Sequence, residues 1–385
     1  MSTQKPFVAQ WGVLGCGWIS SEFTKDVSRP MSSRNVTDVS HAIAAVGSRT
    51  LSKAEEFIAA NCPNGAAGQQ TGLVDFKPKA YGSYKEVVDD PNVNIVYVGT
   101  MNVSHYEDAK LALEGGKHCL LEKPATLNAA EWKHLASIAK SKSLFLMEAV
   151  WTRFNPTMLA IQKAIHEDDL IGEIRCLYSD LSMDGYKKRK DTDRLLAAEL
   201  AGGALLDIGP YPLVWTMMIL YRHPKNGMTP PEKVGSTMLK YHTGVDLATG
   251  FTMTFPKINA IAYCTTNLLS QVQKQQNTRI VGSKGEIHVH GYTSRPTGYT
   301  LKRLANPEDE GGKFLPDENV DMDFDGFGLY WEADQVARCL KDGLLECPTM
   351  THAETAMTMG FFDKIRKEGG YEYLPGLEKV KPESA

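Results

Sequence analysis

Cysteines are few and badly placed for cross-linking: seven, an odd number, with no Cys-x-x-Cys pair. That argues against a disulfide framework and a cysteine zinc site; no metal is expected, and the thiols read as reduced, in a cytoplasmic compartment. An excess of positive charge is also lacking. The net charge is −4, so no global basic field invites nucleic acid or an anionic membrane. No apolar run reads as long enough to span a bilayer. Residues 1–6 run straight into an apolar strand and leave no room for a signal peptide. Repeats and low-complexity tracts are absent as well. What is present is ordinary: 42% hydrophobic and 23% charged residues over a length of 385, enough for two domains with cores of their own.

The chain is organised around Gly12-Val-Leu-Gly15-Cys16-Gly17-Trp18-Ile19-Ser20. Phe7 to Leu14 leads into it as a buried strand, and Ser20 to Val27 follows as a helix. Gly15 permits a tight turn, and Gly17 lets the backbone approach a pyrophosphate. The helix N-terminus, with Trp18 and Ile19 at its start, offers free N–H groups to that anion. Ser20 stands at the third glycine position of a Gly-x-Gly-x-x-Gly pattern; it is small enough for close helix–strand packing.

His41 to Val46 reads as a second strand, ending at Gly47-Ser48-Arg49-Thr50. In a dinucleotide fold this end faces the adenosine ribose. An acidic residue there would bind a 2′-hydroxyl. Here Ser48, Arg49 and Lys53 stand instead, and a guanidinium suits a 2′-phosphate, so NADP is the expected cofactor. Ser52-Lys-Ala-Glu55 and Ser83-Tyr-Lys-Glu86 read as capping boxes, and Asn128 as a cap for the helix running to Lys140. Cys62 to Lys79 shows no period and reads as a loop before a strand near Ala80. Further strands are expected at Asn94 to Val98, His118 to Leu121 and Leu144 to Met147, with a helix from His105 to Leu113. Thr100 and Asn102 follow one strand, and Glu122-Lys123-Pro124 another, at the carboxyl ends where ligands sit. This alternation predicts an α/β Rossmann domain, a doubly wound parallel sheet, over residues 1–150.

From Trp151 the rhythm changes. Pro156 to His166 reads as a helix, Glu173 to Asp180 as a strand, and Leu205 to Leu220 as one buried helix. Six strand candidates follow between Lys233 and Leu304 without helices between them. That predicts an α+β domain over 151–385 with a large, mostly antiparallel open-faced sheet. The run Lys187-Lys-Arg-Lys190 reads as a solvated face. Ala305 to Asp325 reads as a polar surface loop. Tyr330 to Leu340 and Ala353 to Lys367 read as amphipathic helices able to pack on either domain.

Glu122-Lys123-Pro124, set well downstream of Gly15-Cys16-Gly17, resembles the glucose-fructose oxidoreductase / inositol dehydrogenase family over nearly the whole chain. The family's second motif, Asp-x-Gly-x-His with a later Asp, reads here Asp207-Ile-Gly209-Pro-Tyr211-Pro-Leu-Val214. Tyr211 replaces the histidine and Val214 the later acid, which speaks against inositol dehydrogenase activity. The pattern is similar to the branch of dimeric dihydrodiol dehydrogenases and NADP-dependent D-xylose 1-dehydrogenases. Gly202-Gly203-Ala204 before Asp207, and Glu148-Ala-Val-Trp151-Thr-Arg153-Phe154, support it.

The resemblance implies Tyr211 as acid/base with Lys123 beside it. A free tyrosine ionises near pH 10, too high for a base at neutrality; an ammonium and the nicotinamide cation would favour the phenolate. The candidate cofactor set is Gly15, Gly17, Trp18, Ile19, Ser48, Arg49, Lys53, Thr100, Asn102, His105, Glu122 and Lys123. The candidate substrate set is Trp151, Arg153, Phe154, Asp207 and Tyr211, with core packing as the alternative for Phe154. Asp207 would accept from a sugar hydroxyl or orient Lys123. The expected activity is NADP-dependent oxidation of D-xylose at C1. The alternatives are a trans-1,2-dihydrodiol dehydrogenase, or a silent sugar or nucleotide sensor on the same fold. The exposed sheet face and the resemblance both imply a homodimer.

Overall fold

The apolar run after Pro6 forms a strand, β1 (Phe7–Leu14), in a computed structural model that describes residues 5–308 and 311–381. Five more strands join it: β2 (Val39–Gly47), β3 (Lys79–Tyr81), β4 (Ile95–Val98), β5 (His118–Glu122) and β6 (Leu146–Ala149). Their order is β3-β2-β1-β4-β5-β6, and every pair is parallel. β2, β4 and β6 are buried along their whole length, as a sheet covered on both faces requires. The strand order reverses between β1 and β4, which fixes the ligand crevice at their carboxyl ends.

In residues 1–150 two local signals fail. Ser83 Oγ accepts from Glu86 N at 3.3 Å and Asn128 Oδ1 from Glu131 N at 2.9 Å, so both are true caps. The helix after β2 instead begins at Leu51, directly after Thr50, which is still extended. Ser52 therefore lies inside the first turn and caps nothing. The supposed loop between Cys62 and Lys79 contains a short helix, Ala67–Gln70. The Gln69 amide explains it: its oxygen accepts from Ala66 N and Ile43 N, and its nitrogen donates to Ile43 O at 2.6 Å. One side chain thus serves as a short piece of strand beside β2.

The chain divides into two compact units. The first is Met1–Ala149 with Asp325–Gly360 and Glu378–Ala385; the second is Val150–Phe324 with Phe361–Leu377. Within the first unit, the late segment is bound to the sheet by charge and hydrogen bonds. Asp26, on the helix Trp18–Val27, accepts from the backbone N–H groups of Phe327, Gly328 and Leu329 at 3.1, 2.7 and 2.8 Å. Arg34 donates twice to Asp334 at 2.7 Å. Trp132 Nε1 donates to His352 O at 2.9 Å.

The second unit carries β7 (Ile174–Ser182), β8 (Lys233–Lys240), β9 (Asp246–Phe255), β10 (Ala260–Asn267), β11 (Gln275–Gly282), β12 (Gly285–Gly291), β13 (Pro296–Arg303) and β14 (Glu318–Asp321). Their order is β14-β13-β12-β11-β7-β10-β9-β8. All pairs are antiparallel except β7 with β10. β14 corrects the expected loop between Ala305 and Asp325; it pairs with β13 as an edge strand. One face buries Leu177, Phe251, Met253, Ala262, Ile280 and Ile287. Alternation puts Tyr178, Tyr263 and Thr252 on the other face, in one cross-strand row.

The expected single helix from Leu205 to Leu220 is broken. It forms Ala204–Ile208, Pro210–Thr216 and a π-helical turn at Met217–Tyr221. Pro210 has no N–H to continue the first piece, and its ring clashes with the preceding turn. The longer stretch Ala198–Tyr221 does pass as long and apolar enough to cross a membrane, by length and composition, contrary to the sequence expectation. Its apolar window is wholly buried, with Leu205, Leu213, Trp215 and Ile219 in the core.

Asp26 gives a test of how the first unit is held. Asp26→Ala leaves three N–H groups without their acceptor, two of them on the buried residues Gly328 and Leu329. It should lower unfolding free energy by roughly 3 kcal/mol. Urea unfolding of the variant against the parent measures this, and a change below about 0.5 kcal/mol would refute it.

Candidate active site

At the end of β1 the backbone turns through Gly15, with φ +92°, a value that L side chains rarely adopt. A Cβ there would also lie 2.9 Å from Gly99 O, at the end of β4. Gly15 is thus required by the protein itself. Gly17 is different. It is exposed, and a Cβ on it would touch only Gly99 O, at 3.9 Å. Nothing inside the chain demands glycine there, so its openness serves whatever approaches from outside. Ser20 is buried and its Oγ donates to Gly99 O at 3.3 Å; a small polar residue does the close packing at the third motif position. Trp18 is 64% exposed, with its ring edge-on to Phe327 at 5.1 Å. Ile19 is half-buried beside it.

The end of β2 brings Ser48, Arg49 and Lys53 to the same turn. Ser48 is buried, while Arg49 and Lys53 are exposed. Burial pushes the Cys16 thiol up, opposed by a Ser48 hydrogen bond and the Lys53 charge, so Lys53 acts on the glycine turn directly. Arg49 lies in electrostatic reach of Tyr84. Neither cation has an ion pair or a hydrogen bond among the described residues, and both remain available to an anion.

Beyond β4, Thr100 and Asn102 lead into a 3₁₀ turn, Asn102–Ser104. His105 is buried, with Nδ1 2.8 Å from Pro124 O and Nε2 3.3 Å from Thr100 O. Burial, and secondarily the Lys123 charge, push its pKa down to about 4, against the pull of the two carbonyls. The ring is therefore neutral near pH 7. Its single proton goes to the shorter contact, bracing the loops after β4 and β5.

At the end of β5 the buried Glu122 accepts from Tyr97 Oη at 2.7 Å and from the backbone N–H of Lys123 at 3.1 Å. Tyr97 stacks on Phe23 at 3.9 Å. Lys123 itself is half-buried, one residue past the strand. Glu332, from the helix Tyr330–Lys341, is fully buried. Burial first, then the charges of Glu122 and Asp26, push its pKa well above the usual carboxyl range. No motif marks Glu332; its role follows only from the long-range packing of the first unit.

In the second unit, Trp151 opens a 3₁₀ turn, Trp151–Phe154, held by Thr152 Oγ1 donating to Ser294 O at 2.5 Å. Trp151 Nε1 donates to the Tyr211 hydroxyl at 3.1 Å. Both residues are largely buried, and Arg153 and Phe154 are buried as well. Tyr211 lies in the first turn of Pro210–Thr216, and Asp207 lies in Ala204–Ile208, just across the Gly209–Pro210 break. Gly203 explains the glycine pair before them: its φ is +117°, and a Cβ would meet Asp246 Oδ1 at 2.1 Å. Asp246 in turn accepts from Leu205 N at 2.8 Å, fixing the start of the Asp207 helix. Sequence reasoning missed Arg194, whose Nη1 donates to Asp207 Oδ1 at 2.6 Å. The only hint was an arginine shortly before the Gly-Gly pair. Among the described residues no cluster of side chains has metal-ligand geometry.

Comparison with known proteins identifies the family. Residues 9–150 match the GFO/IDH/MocA oxidoreductase family, NAD-binding Rossmann fold, and residues 159–288 match the GFO/IDH/MocA C-terminal domain. A D-xylose 1-dehydrogenase (NADP(+)) from Hypocrea jecorina is 37% identical, over 97% of this chain and 95% of its own. A trans-1,2-dihydrobenzene-1,2-diol dehydrogenase from Sus scrofa is 32% identical, over 94% and 98%. The crystal structure of an aldose-aldose oxidoreductase from Caulobacter crescentus shares the fold, with a TM-score of 0.72 at 21% identity, over 95% of this chain and 98% of that one. The chain therefore belongs to the GFO/IDH/MocA family of oxidoreductases, and its parallel-sheet unit is the family's nicotinamide-binding domain.

Proposed function

We propose that the protein oxidises D-xylose at C1 to the lactone with NADP, with Tyr211 as the acid/base and Lys123 as the assisting ammonium. The observation that carries this reading is the Tyr211 hydroxyl, largely buried and fixed by the Trp151 indole at 3.1 Å. An N–H donor on a phenolic oxygen stabilises the oxyanion over the phenol. The phenolate then takes the hydroxyl proton of the substrate. Bound NADP⁺ supplies the hydride acceptor. The open flank of Gly17 fits a pyrophosphate, and Arg49 and Lys53, unpartnered among the described residues, fit a 2′-phosphate. The xylose-oxidising relative supports the substrate. The diol-oxidising relative supports trans-dihydrodiol oxidation as the second reading, and the edge-on Trp151–Tyr211 pair would suit its apolar ring. Absorbance of NADPH formed with an aldose panel and a trans-dihydrodiol separates the two; no turnover of either would leave the sensor reading.

Assembly belongs to the same proposal. Tyr178 and Tyr263 stack at 5.1 Å on the open sheet face, 37% and 40% exposed, with the Arg279 guanidinium 4.8 Å from the Tyr178 ring. Such a row of aromatics suits the same row of a second copy, forming a homodimer.

Three measurements test these points. Arg49→Asp should lower kcat/KM with NADP roughly ten- to a hundredfold, the range of a charge-assisted hydrogen bond, and bring NAD level with it. An unchanged NADP/NAD ratio would place the 2′-phosphate elsewhere. Tyr211→Phe should lower kcat by about 10²–10⁴ while NADPH affinity, followed by its fluorescence, stays constant. Near-normal turnover would make Tyr211 a packing residue. Tyr263→Glu should convert a dimeric mass to a monomeric one in light scattering; a monomeric parent would end the dimer proposal.

A further inference from the structure

The segment 325–329 returns to the parallel-sheet unit with a shape that glycine permits. Gly326 and Gly328 hold φ of +80° and +98°, on either side of Phe327. A Cβ on Gly326 would collide with Asp26 Oδ1 and Arg29 Nε. That close approach lets Asp26 take the N–H groups of Phe327, Gly328 and Leu329. Tyr330 Oη donates to Asp325 O at 2.8 Å. Arg34, itself paired with Asp334, lies with its guanidinium 4.8 Å from the Tyr330 ring. The backbone on both sides of Phe327 is thereby pinned, and its ring is delivered to a set place.

That place is beside Trp18. The two rings meet edge-on, at 5.1 Å and 81°. Trp18, Glu22 and Asp26 recur at every fourth position of one helix and so share a face of it. The carboxylate that anchors the segment and the indole that meets it belong to the same stripe. Trp18 is the first residue of that helix and follows Gly17. At 64% it is the most exposed large apolar side chain among the described residues. Its indole N–H has no acceptor among them. A lone exposed tryptophan would need no explanation. This one is braced by a ring brought from far along the chain, at the rim of the turn whose open glycine flank admits a phosphate.

We propose that Phe327 is a cofactor-positioning residue, which holds the Trp18 indole against the bound nicotinamide dinucleotide and thereby sets how slowly the dinucleotide leaves. This rests on the glycine turn as the dinucleotide site, and not on which alcohol is oxidised. A pyrophosphate at a helix N-terminus is held by N–H groups for which water competes. Apolar rings beside it exclude that water and strengthen the hydrogen bonds that remain. The indole N–H adds one donor where the ligand offers acceptor oxygens. A tryptophan free to turn would lose rotamer freedom at each binding event; packed against Phe327, it has lost that freedom already. The gain falls on dissociation, because these contacts form after encounter.

The experiment follows NADPH release by stopped-flow fluorescence, on displacement with excess NADP⁺, from the parent, Trp18→Ala, Phe327→Ala and the double variant. Phe327→Ala should raise the dissociation rate roughly two- to tenfold, the range of an aromatic pair, with the association rate nearly constant. Trp18→Ala should raise it at least as much. In the Trp18→Ala background the second substitution should add less than about twofold, because Phe327 acts through the indole. A segment merely loosened by Phe327→Ala would speed release equally in both backgrounds, and that result overturns the inference. So does a rise below about twofold in either single variant. Phe327→Leu keeps the apolar volume and answers the same question, by the same threshold, if the alanine variant does not fold. A parent that binds NADH and not NADPH is put through the same comparison with NADH, and the same outcomes decide. A parent that binds neither dinucleotide overturns the cofactor reading of the glycine turn, and the inference with it.

Discussion

A single buried carboxylate, Glu122, holds the cofactor half of this protein in register. Its oxygens take the Tyr97 hydroxyl from β4 and the N–H of the next residue, Lys123. Tyr97 stacks on Phe23, and Phe23 meets Trp11 edge-on at 5.0 Å. Through this series, the lysine's backbone is tied to the same helix that follows the glycine turn. Glu332 lies against the same charge, and its burial, then Glu122 and Asp26, raise its pKa well above the usual carboxyl range. Two charged carboxylates buried together would repel, and the less solvated one keeps its proton.

The parts legible in the sequence are those set by neighbours along the chain. A strand such as β4 declares itself by four apolar residues in succession, and Ser83 and Asn128 as caps need only a partner three residues away. The Gly15 turn is equally local, because φ +92° belongs to one residue. Ser52 failed because a capping box matches at more than one offset, and the geometry of the strand exit selected Thr50. The run from Leu205 failed for another reason: its apolar character is continuous, while Pro210 interrupts the hydrogen-bond ladder without altering hydropathy.

Residues whose role comes from distant partners left no trace. Glu332 reads as one acid in an amphipathic helix; its burial depends on residues hundreds of positions away. Gln69 looked like loop composition, yet it completes the pairing of β2. Arg194 sat beside a basic run and a glycine pair, and nothing local distinguished it from Arg189 five residues earlier, which pairs with Asp193 at 2.9 Å. What separates the two arginines is the partner: a surface acid in one case, and an almost buried Asp207 in the other.

The attachment of the late segment to Asp26 has a bearing on synthesis. The nicotinamide-binding domain is not a continuous stretch that can be finished as it leaves the ribosome. Its first helix waits for the N–H groups of Phe327 to Leu329, and Trp132 waits for the carbonyl of His352. The whole antiparallel sheet is made in the interval. A nascent chain therefore holds a complete six-strand set with an unsatisfied carboxylate and an uncovered flank while some two hundred further residues are added. Domains usually mature in the order they are made. Here the earlier one is closed only by the later return of the chain, and a gene fragment ending after β6 encodes the sheet without the pieces that seal it.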